Sequence, residues 1–229
     1  MRDKIKNVYK NQWFYLFHAL IIMLILFPYL DPEYTLHHHP QPLLLLNSAV
    51  ILIIIYTVSP TKRYFTLGLI FGLPALVCFW VEDMSNNSLV ILGSILAMYL
   101  YAIWMTIRFL LKSNEFSMDQ VFGGASVYIL IGLTWTIAFQ GIEIFKPGSF
   151  VTDDPSNVEN ILSWSDFIYY SFTTLTTLGY GDITPLHPAA RSLAILEAIT
   201  GVIFVPVIIS GILSIVITST LHKKHHQSP

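Results

Sequence analysis

The sequence predicts an all-α membrane protein with six transmembrane helices and a re-entrant helix and loop between the fifth and the sixth. Three observations predict it. Of 229 residues, 54% are hydrophobic and only 11% are charged, with a mean hydropathy of +0.63, whereas a soluble domain carries about a quarter charged residues. Apolar stretches of near-span length recur six times. The connection between the last two holds a short apolar helix that stops at two glycines, Gly179 and Gly181.

A membrane crossing needs roughly 20 apolar residues. Periodicity and composition place such segments at about 13–30, 42–59, 64–82, 88–111, 121–145 and 187–220. Turn chemistry separates them: Asp31-Pro32 and Pro40-Gln41-Pro42, then Ser59-Pro60-Thr61, then Glu82 to Asn87, then Ser113 to Gln120. Ser117 and Gln120 have the spacing of a capping box for the fifth helix. The basic N-terminus precedes an apolar run, but no small-residue cleavage site follows Phe27-Pro28-Tyr29, so a retained first helix is expected. Cys78 is the single cysteine, which excludes an intrachain disulfide and a thiolate metal cluster.

Basic residues set the orientation. With both termini inside, Arg2, Lys4, Lys6, Lys10, Lys62, Arg63, Arg108, Lys112, Lys223 and Lys224 are cytoplasmic, which is 10 of the 12. Only Lys146 and Arg191 fall outside. The outer side then gathers Asp31, Glu33, Glu82, Asp83, Glu143, Asp153, Asp154, Glu159, Asp166 and Asp182, and an acidic face raises the local cation concentration.

The connection from 146 to 186 is longer than ordinary loops, and loops of that length are usually functional. Lys146 to Ser163 reads as an exposed polar turret. Ser165 to Thr176 has helical spacing at half the length of a span, with Asp166 at the positive end of its dipole. Irregular backbone at membrane depth is tolerated only where it lines a water-filled path or lies buried in protein. In Thr176-Thr177-Leu178-Gly179-Tyr180-Gly181-Asp182 the alternate glycines allow backbone angles that other residues avoid.

At these residues the chain resembles the potassium-channel pore superfamily, with Leu178 where valine is commonest. The resemblance covers roughly residues 121–220. Potassium channels are the type case of filters in which rings of backbone carbonyls replace an ion's hydration shell. The resemblance implies a potassium-selective channel in the cell membrane, made as a homotetramer because each chain supplies one filter strand. It implies that Thr177, Leu178, Gly179, Tyr180 and Gly181 form the ion-coordinating filter, with K+ held at Thr177, Leu178, Gly179 and Tyr180. Thr176 would lie at the cavity end, Tyr180 would brace the strand, and Asp182 would anchor its outer end. Tyr169 and Tyr170 fall where an aromatic cuff surrounds the filter tyrosine; many relatives have tryptophan there. The permeant K+ is the only ligand expected, with membrane lipid as surroundings and no cofactor or nucleic acid.

Gating candidates lie in the last helix. Gly201 stands 19 residues after Asp182, where the superfamily has a hinge glycine, and Pro206 removes a helix hydrogen bond five residues later. A kink near Val202 to Pro206 is therefore expected. Glu197 is an acidic residue inside that span, a position that is functional by default; hydroxyls such as Ser171 or Thr174 are its expected partners. Sensor helices carry several arginines, because each charge crossing the field contributes about 2.3 kcal/mol per 100 mV. The fourth span has only Arg108, read with Lys112 as a snorkelling anchor. The channel is thus expected to be insensitive to voltage through a sensor.

The expected organisation is a four-helix domain over 1–112, a linker over 113–120, a pore domain over 121–220 and a tail over 221–229. That tail is expected to be too short for a nucleotide- or calcium-binding domain. His37, His38 and His39, and His222, His225 and His226, are expected to be solvated, since neither group has the ligand set of a closed metal site. Gly68 and Gly72 form a small-xxx-small packing face. Trp13, Tyr15, Trp80 and Trp164 suit an aromatic belt. Enzyme signatures such as a P-loop, a serine elbow or HExxH are absent from the sequence. Two other classes fit the same residues: a poorly selective cation channel and a non-conducting regulatory subunit.

Overall fold

The computed structural model describes residues 12–30, 41–58, 62–80, 88–112, 118–155, 157 and 160–225. The loops at 31–40 and 81–87, the linker residues 113–117 with the proposed Ser117 cap, and the side chains of Trp80, His222 and His225 lie outside the described residues. So do His37, His38, His39, His226, Glu159 and the N-terminal basic cluster.

Helices dominate: α1 (Gln12–Leu30), α2 (Gln41–Thr57), α3 (Lys62–Trp80), α4 (Ser88–Lys112), α5 (Met118–Phe145), α6 (Trp164–Leu175) and α7 (Pro188–His225). Among the described residues, four stretches are long and apolar enough to cross a membrane by length and composition: Gln12–Leu30, Val90–Lys112, Met118–Phe145 and Pro188–Gly211. The fold is therefore that of a mostly helical multi-pass membrane protein. Helix α2 has 17 residues and so reaches about 25 Å, at the lower limit for a membrane span.

Each outer helix buries one stripe. In α1 it is Trp13, Leu16, Leu20, Met23 and Phe27, and in α4 it is Ile91, Ile95, Met98, Ala102 and Met105. Steps of three and four residues keep such side chains on one helical face. Neighbouring helices pack as α1 on α2, α2 on α3 and α3 on α4, and both α1 and α4 lie against α5. One core joins them, running from the α1, α2 and α4 stripes into Ile129, Leu130, Leu133 and Ile137 of α5 and Ile168 of α6. The four-helix unit thus seats on the α5 of its own chain.

Close packing uses Gly72, where an added Cβ would stand 2.6 Å from Ile55 Cδ1 on α2. Two membrane-interface assignments change. Trp13 is buried and stacks on Phe109, with ring centroids 4.8 Å apart, so it belongs to the core and not to a lipid belt. Arg108 does not simply snorkel: its guanidinium lies 5.3 Å from the Trp104 ring and 5.8 Å from that of Tyr64. Ring faces attract such a cation, which ties α4 to α3.

The turret also differs from expectation. It holds a strand, β1 (Phe150–Thr152), antiparallel to β2 (Ile183–Pro185) just after the loop at 176–182. Phe150 is fully buried against Phe139 of α5 and Phe167 and Tyr170 of α6. One large apolar side chain amid polar neighbours is enough to fold the start of the turret inward.

Candidate functional site

The half-length helix is capped as its sequence demands. Ser163 is the N-cap of α6: its Oγ accepts from Asp166 N at 3.2 Å, and its own N–H donates to Asp166 Oδ2 at 2.8 Å. Twelve residues reach about 18 Å, so α6 ends near mid-membrane if it enters from one face. At its C-terminal end Thr176 N donates to Phe172 O at 3.1 Å and Thr177 N to Thr174 O at 2.9 Å. Leu178 N and Gly179 N both donate to Thr173 O, at 2.8 and 3.1 Å. Otherwise unpaired carbonyls of the last helical turn thereby anchor the loop that follows.

That loop alternates in hand. Thr177, Gly179 and Gly181 have φ of +60°, +53° and +80°. The glycines adopt this region freely. Thr177 does not, because a β-branched residue there is a steric outlier at about 1–3 kcal/mol. Sequence spacing pointed to the glycines; nothing in it marked Thr177 as the third left-handed position.

Aromatic support is divided between two tyrosines. Tyr169 stacks on Tyr180, with centroids 6.4 Å apart and planes at 4°, and its hydroxyl donates to Asp182 Oδ2 at 2.6 Å. Tyrosine here supplies the restraint on Asp182 that an indole N–H would give. Tyr170 departs from the expected cuff within this chain: it is buried beside Phe139, Phe150 and Phe167. A Tyr169→Phe substitution removes the hydrogen bond and leaves the stacked ring. The expected result is faster loss of current during sustained conduction with normal assembly, read by patch recording; unchanged decay would show that Asp182 does not depend on Tyr169.

Behind the loop, three helices meet. Glu197 of α7 is fully buried. Ser171 Oγ lies 2.5 Å from Glu197 Oε1 and 2.7 Å from the Gly132 carbonyl of α5. One hydroxyl on α6 therefore joins α5 to α7. Glu197 Oε2 is buried without a hydrogen-bond partner. Gly132 and Gly201 permit this convergence. A Cβ on Gly132 would meet the Phe172 ring at 2.7 Å, and one on Gly201 would stand 1.8 Å from the Leu175 carbonyl oxygen. Gly201 is thus a point of backbone contact between α7 and the end of α6. Pro206 lies inside α7, which continues as one helix from Pro188 to His225.

The sequence marks Glu143 only as one of the outer acidic residues. Its carboxylate accepts from the backbone N–H groups of Gly148, Ser149 and Phe150 at 2.6, 2.9 and 3.2 Å. A carboxylate in the last turn of a helix opposes the dipole, and that mismatch was the available sign of a special role.

Residues 141–218 match the ion-channel family. The two pore potassium channel c of Oryza sativa subsp. japonica is 34% identical over 95 residues, covering 42% of this chain and 18% of the relative. The potassium channel protein kcv of Paramecium bursaria Chlorella virus 1 is 37% identical over 57 residues, covering 24% of this chain and 61% of the relative. Protein LctB of Bacillus caldotenax is 28% identical over 125 residues, covering 53% of this chain and 85% of the relative. The chain therefore spans less than two thirds of the two potassium channels among these relatives. The matching family and channels are ion-transport proteins and not enzymes. Residues 141–218 are thus similar to ion-channel pores, and the relatives that share the similarity include potassium channels.

Proposed function

We propose that the chain is one subunit of a homotetrameric, potassium-selective channel, with the carbonyls of Thr177, Leu178, Gly179 and Tyr180 as ion ligands and Gly181 completing the filter. The observation that carries this reading is the alternation of left-handed residues at 177, 179 and 181. Backbone that alternates in hand turns successive carbonyls to one side, as a filter of stacked oxygen rings requires. Thr176, Asp182 and Tyr169 support that strand, and Tyr170 supports it through the aromatic cluster behind α6.

Assembly has its own support. Leu178 and Tyr180 are 55% and 68% exposed in the single chain. Helix α7 leaves Ile195, Ile199, Val202 and Ile203 exposed as well. Apolar groups on a re-entrant loop and on the helix beside it need covering by other copies. In this reading all six long helices span the membrane with both ends inside, α1–α4 form the 1–112 domain and α5–α7 lie in the 121–220 pore. The lack of an arginine series in α4 supports gating without a voltage sensor, at the filter or in the α7 segment holding Glu197, Gly201 and Pro206.

The test is reconstitution of the purified chain alone in liposomes. Potassium flux, with a reversal potential near the potassium equilibrium value in mixed potassium and sodium, is the expected result. Equal sodium permeability would refute selectivity, and absent flux would leave a non-conducting subunit.

A further inference from the structure

We propose that the turret is a strap that holds the outer end of the filter in register, with Asn160 as its positioning residue. The proposal rests on the filter reading above and extends it to a segment the filter chemistry does not use.

The connections form a chain from α5 to Asp182. At one end, the Glu143 carboxylate fixes the backbone of 148–150. Ser149 O then accepts from Leu186 N at 2.8 Å and His187 N at 3.2 Å, beyond the filter. Strand β1 pairs Phe150 with Pro185, Val151 with Thr184 and Thr152 with Ile183. At the other end, Asp153 N donates to the Asp182 carbonyl at 2.8 Å. Asp182 is thus held by its carboxylate through Tyr169 and by its backbone through the turret.

Asn160 closes the strap. Its Oδ1 accepts from Thr152 N at 2.8 Å, and its Nδ2 donates to Phe150 O at 2.9 Å. These are two of the β1 backbone groups on the edge away from β2, so one side-chain amide stands in for part of a third strand. Asn160 holds φ of +52° to reach them, a region asparagine adopts more readily than other non-glycine residues. A two-stranded ribbon is marginal alone; the amide on one edge and buried Phe150 make this one persist.

The strap predicts that filter selectivity depends on a side chain that touches no filter residue. The variants are Asn160→Gly and Asn160→Ala, the first of which accepts the backbone angle without strain. The readout is the potassium-to-sodium permeability ratio of reconstituted channels, which does not depend on how many channels fold. Loss of two hydrogen bonds is expected to lower the ratio about tenfold in both variants. Adding Thr152→Cys with Ile183→Cys to Asn160→Gly places a cysteine pair at directly opposed positions, whose spacing suits a disulfide. The oxidised pair is expected to restore the ratio and reduction to abolish it again in the same sample. Wild-type ratios in both single variants, or no recovery on oxidation, would overturn the strap while the filter reading stands. A wild-type protein without selective potassium flux would overturn both.

Discussion

Gly201→Ala is expected to destabilise the protein and abolish most potassium flux. The added Cβ would stand 1.8 Å from the carbonyl oxygen of Leu175, 2.8 Å from its carbonyl carbon and 3.3 Å from its Cα. A relaxed contact needs about 3.5 Å. All three neighbours are backbone, so no side-chain rotation relieves the clash, and α7 must part from the end of α6. Overpacking of this kind costs about 1–3 kcal/mol, and more where the neighbour is rigid. The displaced carbonyl lies two residues before Thr177, so the movement reaches the proposed filter directly. Gly93→Ala is the control: nothing lies within 4 Å of its added Cβ, and replacing a helical glycine stabilises by about 0.5–1 kcal/mol. Thermal unfolding in detergent with flux in liposomes checks both. A Gly201→Ala protein with the wild-type melting temperature and flux would show that the contact yields without cost. A hinge alone predicts something different, an altered open probability in a protein of normal stability.

The second large effect is expected at Gly179→Ala. Gly179 has φ of +53° and open space around its added Cβ, so the penalty is conformational and not steric crowding by neighbours. Left-handed backbone costs a residue with a Cβ about 1–2 kcal/mol. With the four copies of the proposed tetramer around one pore, the proposed filter would carry about 4–8 kcal/mol against its alternating conformation. At 1.4 kcal/mol per tenfold, the lower bound is about a thousandfold shift away from the conducting form. Because the strained residue is at the surface of the single chain, the fold of each subunit should survive. The expected result is a tetramer by cross-linking with potassium flux at background. Retained selective flux would refute the assignment of Gly179 to the filter.

These two glycines show how differently sequence and structure contribute. Gly179 was legible because its spacing with Tyr180 and Gly181 is a local pattern, and local backbone angles follow from local composition. Gly201 stands out in the sequence by its distance from Asp182, which suggests a hinge. Its close contact with Leu175 joins positions far apart in sequence, and only the packing of α6 against α7 reveals it. Glu197 stands between these cases. A carboxyl within an apolar run demands a polar partner, and Ser171 was among those expected; the third member, the Gly132 carbonyl, needed the placement of α5.

By itself the sequence determined the membrane class, the long helices, the half-length helix and the glycine-bearing loop that follows it. Each follows from periodicity, length or neighbouring residue types, which act over a few turns of chain. The tertiary structure decided that the four outer helices seat on their own α5, that Trp13 and Arg108 are packed side chains and that Thr177 joins the left-handed series. It also decided that residues 149–153 fold back on the segment 182–187, held by Glu143, Phe150 and Asn160. Those features arise from contacts between distant segments, where burial of one side chain or pairing of one backbone group outweighs local preference. A polar loop carries no periodic signal of such contacts, so the turret that reads as solvated chain becomes visible as structure only when α5, α6 and β2 are in place around it.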